Sequence, residues 1–220
     1  MRRNDAKKWL KNAKGRKGSS ANWLTRQLND QYVMEAKRLG YRGRAAFKLI
    51  EIDEKLNFLR KGIKIVDLGA APGGWCQVAT EKGASVIAID LLEMDEMPNV
   101  DFLQMDFMDH DAPDRLKAML SNDGHPQHAD VVMSDMAPNT TGHKKTDHLR
   151  IMAVVEAAYY FAKEVLKKDG LFIAKVFQGG AQNSILAEMK HDFKTIKHIK
   201  PAASRKESSE TYLVATGFRG

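Results

Sequence analysis

Residues 63–75 read Ile-Lys-Ile-Val-Asp-Leu-Gly-Ala-Ala-Pro-Gly-Gly-Trp, and their order decides the fold. A short apolar, β-branched run ends at Asp67, small residues replace it at once, and a helical pattern opens at Gly73. Strand, tight turn, helix is the opening unit of a doubly wound α/β sheet, which gathers its ligands at the carboxyl ends of its strands. Gly69, Gly73 and Gly74 carry no side chain that would hold a ligand away from the backbone. The N–H groups that open the following helix point into the same space.

Two common nucleotide loops are excluded. No Gly-Lys-Ser/Thr follows the glycines, which removes a phosphate-gripping P-loop. The spacing is not Gly-x-Gly-x-x-Gly, and Pro72 sits inside the turn, which argues against a dinucleotide pyrophosphate there. An acid at the strand end, Asp67, beside a small-residue turn suits a ligand with a cationic, amino-acid-like part. S-adenosylmethionine is such a ligand.

The chain of 220 residues fits one domain with a core of its own, and strands alternate with helices after Ile63. Its single cysteine, Cys76, excludes a disulfide framework and fits a reducing compartment. No apolar run reaches the roughly 18 residues of a membrane span. The N-terminus lacks the apolar core of a secretory signal, so a cytoplasmic protein is expected.

Charge is informative by position. Residues 1–20 hold eight basic side chains against one acid, a net of +7 that equals the whole chain's 35 minus 28. The remainder, 21–220, is balanced and reads as one domain behind a basic arm. Such an arm is the electrostatic footprint of a nucleic-acid partner, or else a solvated tail. Trp9 within it would stack on a base or pack on the domain.

Along the chain, 22–30 and 31–39 read as short helical pieces closed by Gly40. Arg38, Arg42 and Arg44 precede a helix over 44–56 whose stripe is Ala45, Leu49, Ile52 and Leu56. Lys48 borders that stripe, either snorkelling at the surface or facing the cleft. Strands are expected at 64–67, 85–90, 100–104, 130–134, 171–177, 195–199 and 210–217. Helices are expected from Gly73 to about 82, and over 113–120, 147–168 and 181–193, with Asp169-Gly170 ending the third of these. Asp90 closes the second strand, where an acid suits ribose hydroxyls. Asp106 would lie beside an adenine or serve a turn. His125 and His128 form an H-x-x-H pair with no second ligand cluster, so no metal is expected. Residues 140–145 read as a polar lip over a substrate, and Lys200, Arg205 and Lys206 as contacts to a phosphate backbone. Lys175 stands inside an apolar strand, where lysine is almost never fully buried without a reason. At the tip of a central strand it should face the same cleft as Asp135. Seven mostly parallel strands with helices on both faces, the last pair joined without a helix, form the Rossmann-like methyltransferase variant of the doubly wound sheet.

Five segments in this order resemble the FtsJ/RlmE family of ribosomal RNA 2′-O-ribose methyltransferases. They are Arg-Ala-Ala-Phe-Lys-Leu (44–49), Asp-Leu-Gly-Ala-Ala-Pro-Gly-Gly-Trp (67–75), Met-Ser-Asp-Met-Ala-Pro-Asn (133–139), Lys-Val-Phe-Gln-Gly (175–179) and Ser-Ser-Glu-Thr-Tyr-Leu-Val-Ala-Thr-Gly (208–217). The resemblance runs from about Gln27 to the C-terminus. It implies a catalytic set of Lys48, Asp135, Lys175 and Glu210, with Lys175 as proton acceptor. It implies a donor site at Gly73, Trp75, Asp90, Asp106 and Asp135. The implied substrate is a uridine ribose in the A loop of 23S rRNA, within the large ribosomal subunit and acted on by a monomer. The segment Lys206-Glu207-Ser208-Ser209 is less basic than this stretch often is in the family.

Transfer to a ribose hydroxyl is an in-line displacement that needs oxygen, methyl and sulfur aligned and the hydroxyl proton removed or held. The chain contains no Asn/Asp-Pro-Pro-Tyr, the motif many amino-group methyltransferases use, which favours an oxygen acceptor. The basic arm, with Arg38, Arg42 and Arg44, favours RNA. A relative acting on tRNA or an mRNA cap would share the same four residues. A non-catalytic ribosome-assembly factor would not need Lys175, and an NAD oxidoreductase would need the dinucleotide loop that is missing.

Overall fold

Apolar runs one strand long, alternating with amphipathic helices, build a twisted seven-stranded sheet in the computed structural model. It describes residues 30–121, 125, 127–138, 141–177, 183–205 and 207–220. The basic arm, the helical piece expected at 22–30 up to residue 29, and Lys206 lie outside these. The strands are β1 (Lys64–Leu68), β2 (Ser85–Asp90), β3 (Val100–Gln104), β4 (Ala129–Ser134), β5 (Leu166–Phe177), β6 (Phe193–Ile199) and β7 (Glu210–Phe218). Their order is β3-β2-β1-β4-β5-β7-β6, with β1 to β5 parallel and β7 antiparallel to both neighbours. The order reverses between β1 and β4, so the crevice for a ligand opens at their carboxyl ends.

Each strand's alternation divides its side chains between two cores. On one face Ile65, Met133, Ile173 and Val214 pack under α2 (Ala45–Leu56) and α3 (Gly74–Glu81), against Leu49, Ile52 and Val78. On the other, Val66, Val132, Phe172 and Leu213 meet α4 (Ala112–Leu120), α5 (Lys144–Val165) and α6 (Asn183–Asp192) through Leu116, Tyr159 and Met189. Full burial of each such side chain stabilises the fold by about 1.5–3 kcal/mol. The helix α1 (Gln31–Leu39) lies outside α2, with Tyr32 and Tyr41 against Phe47 at ring separations of 5.4 and 5.6 Å. Its start is capped by Asp30, whose carboxylate accepts from the Tyr32 N–H at 3.1 Å, and Gly40 ends it at φ 79.

Two boundaries differ from the sequence expectation. The helix expected to run to 168 stops at Val165, because Leu166 turns extended to pair with Ala129. Residues 167–170 then bulge before Leu171 pairs with Val131, with Asp169 at φ 63 and Lys167 ion-paired to Asp130. The polar lip is shorter than expected, since α5 begins at Lys144. The Asp147 carboxylate accepts from the Thr141 and Gly142 N–H groups at 2.6 and 3.1 Å and ties that approach to the helix.

Candidate active site

Strand parity brings the two interior lysines and two carboxylates together. Lys175 has the parity of Leu171 and Ile173, and Glu210 that of Tyr212 and Val214, so all face the α2 side of the sheet. Register places Lys175 opposite Tyr212 and Phe177 opposite Glu210. Asp135 continues β4 beyond Ser134, the partner of Ala174. Lys48 descends from α2 onto the same spot. The Lys175 amine lies 3.0 Å from Asp135 Oδ1 and donates to the Asp135 carbonyl as well. The Lys48 amine lies 3.0 Å from both oxygens of Glu210 and 3.7 Å from Asp135 Oδ2. Their side chains are only 9–17 % exposed. Two charges of each sign thus balance in a largely dry setting, which is what makes buried ions tolerable.

Two further residues complete the network, and the sequence did not single them out. The Tyr212 hydroxyl donates to Asp135 Oδ1 at 2.6 Å, its ring packing on Trp75 and 5.7 Å from the Lys48 amine. The Ser204 hydroxyl donates to Glu210 Oε1 at 2.7 Å. Tyr212 was legible in principle, two residues from Glu210 on one strand and hence on one face. Burial raises the proton affinity of Asp135, but Lys175, Lys48 and the Tyr212 hydroxyl outweigh it and hold the carboxyl below its usual range.

Beside this network a cavity of about 490 Å³ lies over the β1–β4 switch point, within the size range of small-molecule sites. Asp90, Asp106 and Asp135 supply its acids, Gly69 and Met136 part of its floor, and Leu92 and Met108 apolar wall. A side chain on Gly69, at φ 80, would come within 3.0 Å of the Met136 backbone, so the two loops meet only because that position is glycine. Asp90 accepts from the Ala71 N–H at 2.9 Å and the Leu92 N–H at 2.8 Å, which fixes its carboxylate at the rim. Asp106 accepts from the Met108 N–H at 2.9 Å. Three carboxylates, apolar walls and a close backbone fit a cationic, partly flat ligand such as S-adenosylmethionine. A larger groove of about 1140 Å³ at the outer edge of the sheet, by Glu93 and Met97, contains none of the four clustered ionic residues.

Other expected donor residues stand back from the cavity. Asp67 shares the parity of Ile65 and so points beneath α3, where it is fully buried and accepts from the Cys76 thiol at 3.1 Å. Its other oxygen, Oδ1, has no hydrogen-bond partner among the described residues. Burial pushes its carboxyl up to about 7, with Asp135 and Asp90 adding to the rise against the Cys76 hydrogen bond. Between about pH 4 and pH 7 the folded chain therefore holds a proton that the unfolded chain has lost, and stability falls as pH rises across that window. Asp67→Asn is expected to flatten this slope in donor-free protein melted at a series of pH values. Equal slopes in both proteins would remove Asp67 as its source.

Gly73 faces Arg42 and Met94, and Gly74 the Ala46 backbone, so their missing side chains serve loop packing. The Trp75 indole is buried, its N–H donating to the Ala45 carbonyl at 2.9 Å.

Of the three arginines expected at RNA, two are engaged within the fold. Arg42 donates to the Asp95 and Glu96 carbonyls at 2.7 and 2.8 Å. Arg44 is half-buried, paired with Asp30 and donating to the Ala203 carbonyl. Arg38 is exposed, paired with Glu35 on its own helix. Arg205 lies 3.5 Å from Asp30, and Lys200 donates to the Ser208 carbonyl. His125 and His128 are exposed, and among the described residues no His, Cys, Asp and Glu cluster could hold a metal. Among them too, no helix is long and apolar enough to cross a membrane.

The chain is similar to known proteins over most of its length. Residues 41–218 match the model of the FtsJ-like methyltransferase family. The chain is 62 % identical over 217 residues to a ribosomal RNA large subunit methyltransferase E of Azorhizobium caulinodans, covering 96 % of this chain and 88 % of that one. It is 58 % identical over 219 residues to the protein of the same name in Paramagnetospirillum magneticum, with the same coverage. A solved Plasmodium falciparum protein described as a ribosomal RNA methyltransferase superposes with a TM-score of 0.71 at 33 % identity, covering 82 % of this chain and all of that one. The chain belongs to the FtsJ-like methyltransferase family.

Proposed function

We propose that this enzyme methylates the ribose 2′-hydroxyl of a uridine in the A loop of 23S rRNA, acting on the large ribosomal subunit in the cytoplasm. The observation that carries the reading is the meeting of Lys48, Asp135, Lys175 and Glu210 at the strand tips, with Asp135 shared between that cluster and the cavity. The names of the relatives support large-subunit rRNA as the substrate. S-adenosylmethionine, when bound, supplies an electrophilic sulfonium methyl. Asp90, Asp106 and Asp135 would hold it, their charge matched to its own.

Lys175, as the neutral amine left once its ammonium has released a proton to solvent, takes the hydroxyl proton. A neutral amine has two N–H groups and one lone pair. Asp135 accepts from it twice, through its carbonyl and Oδ1, which leaves the lone pair for the ribose O–H. Once protonated, the same amine presents its third N–H to the oxygen it has relieved. Lys48 and Glu210 form the other wall and hold the ribose, while Tyr212 keeps Asp135 from rotating away. An oriented acceptor beside a fixed donor lowers the barrier without any new covalent step.

The test is transfer of labelled methyl from S-adenosylmethionine to large subunits lacking the modification, with the labelled nucleotide then mapped. Label on one 23S ribose 2′-oxygen is the expected result. Label only on tRNA, or on a base, would overturn it.

A further inference from the structure

Glu210 is held from two sides, and only one of them belongs to the cluster just described. Lys48 reaches both of its oxygens. On the far side the Ser204 hydroxyl donates to Oε1 at 2.7 Å, from a residue that is itself 4 % exposed. Ser204 lies in the turn that joins β6 to β7, and it is not left to find its own place. Its N–H donates to the Pro201 carbonyl at 3.0 Å. The preceding residue is gripped on both sides, by α2 and by the residue that caps it: the Ala203 N–H donates to the Glu51 oxygens at 3.0 and 3.2 Å, and the Ala203 carbonyl accepts from Arg44. The helix that supplies Lys48 therefore also fixes the turn that supplies Ser204.

We infer that Ser204 is a positioning residue for methyl transfer: it fixes the plane of the Glu210 carboxylate, and through it the Lys48 amine, so that the acceptor ribose is held in line. The inference rests on the ribose-methylation reading above. A carboxylate accepting only from one flexible lysine can rotate about its last bond. A second donor on a rigid turn removes that freedom, and rotation of a positioning group degrades the rate of the bound complex more than binding itself.

The experiment is a double-mutant cycle in single-turnover methyl transfer, with enzyme in excess over large subunits lacking the modification. Ser204→Ala is expected to lower the rate about tenfold to a hundredfold, as for loss of a hydrogen bond to a charged group. Donor affinity and apparent RNA affinity should stay within about threefold. Ser204→Thr, which keeps the hydroxyl, should recover most of the rate. In a Glu210→Gln background Ser204→Ala should cost less than about twofold, because the group it acts on is already altered. Should Ser204→Ala fail to fold, Ser204→Cys keeps the volume with a much weaker donor and enters the same cycle. A wild-type rate in Ser204→Ala would overturn the inference, as would an equal loss in both backgrounds. Failure of the wild-type enzyme to label rRNA would instead overturn the ribose-methylation reading, so the two failures are distinguishable.

Discussion

Lys175→Ala is expected to lower single-turnover methyl transfer by about 10²–10⁴-fold, the usual contribution of a positioned acid–base group. Donor binding, read by calorimetry, should change by less than about threefold, because Asp90, Asp106 and the other face of Asp135 remain in place. Stability should fall as well, since one partner of a buried ion pair is removed, but by less than in Asp135→Ala, because Asp135 keeps Lys48 at 3.7 Å and the Tyr212 hydroxyl at 2.6 Å. The alanine variant alone does not separate proton acceptance from a fixed positive charge. Lys175→Arg does. A guanidinium keeps the charge and the hydrogen bonds to Asp135 but is never deprotonated in a protein. If the lone pair carries the function, arginine is as slow as alanine. If arginine keeps a tenth or more of the wild-type rate, Lys175 works as a cation that holds the oxygen. Full activity in Lys175→Ala would remove it from the chemistry altogether.

Much of the fold and part of the site can be read from residue order, and the division has a physical basis. β2 and β3 fall on the expected residues 85–90 and 100–104, because each is a short run between sharp turn signals. Lys175 stands out because a lysine between Ala174 and Val176 breaks an apolar strand, and period-two alternation then tells which face it shares. Residues 167–170 misled because Lys167 and Lys168 continue a helical pattern. What ends the helix is the pairing of Leu166 with Ala129, a contact made nearly 40 residues away in sequence. The contacts of the arginines were hidden for a related reason. A sequence displays charge but not partners, and those of Arg42 are two backbone carbonyls at Asp95 and Glu96. The strand-end place of Asp67 suits a cationic ligand, while the parity that buries Ile65 also carries Asp67 under α3, a depth that residue order does not display. Ser204 gave no signal at all, being one serine among several in a polar turn.

Asp135→Ala is expected to be the most destabilising single change at the site, costing about 3–5 kcal/mol in a urea melt, as for removal of one partner from a buried ionic group. Asp135 meets both lysines and Tyr212, accepting from Lys175 and Tyr212 and facing Lys48. Its loss leaves the Lys175 ammonium, 9 % exposed, with a single carbonyl, and the Tyr212 hydroxyl with nothing at 2.6 Å. Because the Asp135 carboxyl is held below its usual range in the folded chain, its contribution is fully present above the unfolded value, near pH 4. It is lost as pH falls through the lower folded value. The gap between wild type and variant should therefore be widest above about pH 5 and should narrow in acid. If an unpaired buried cation is the main cost, removing it should help. Asp135→Ala combined with Lys175→Met is then expected to be more stable than Asp135→Ala alone by about 1–3 kcal/mol, although both variants are inactive. A double variant less stable than the single one would mean that water reaches Lys175 once the carboxylate is gone. In that case the cost lies in the lost hydrogen bonds rather than in stranded charge, and the dry setting on which the lone-pair role of Lys175 depends would not exist.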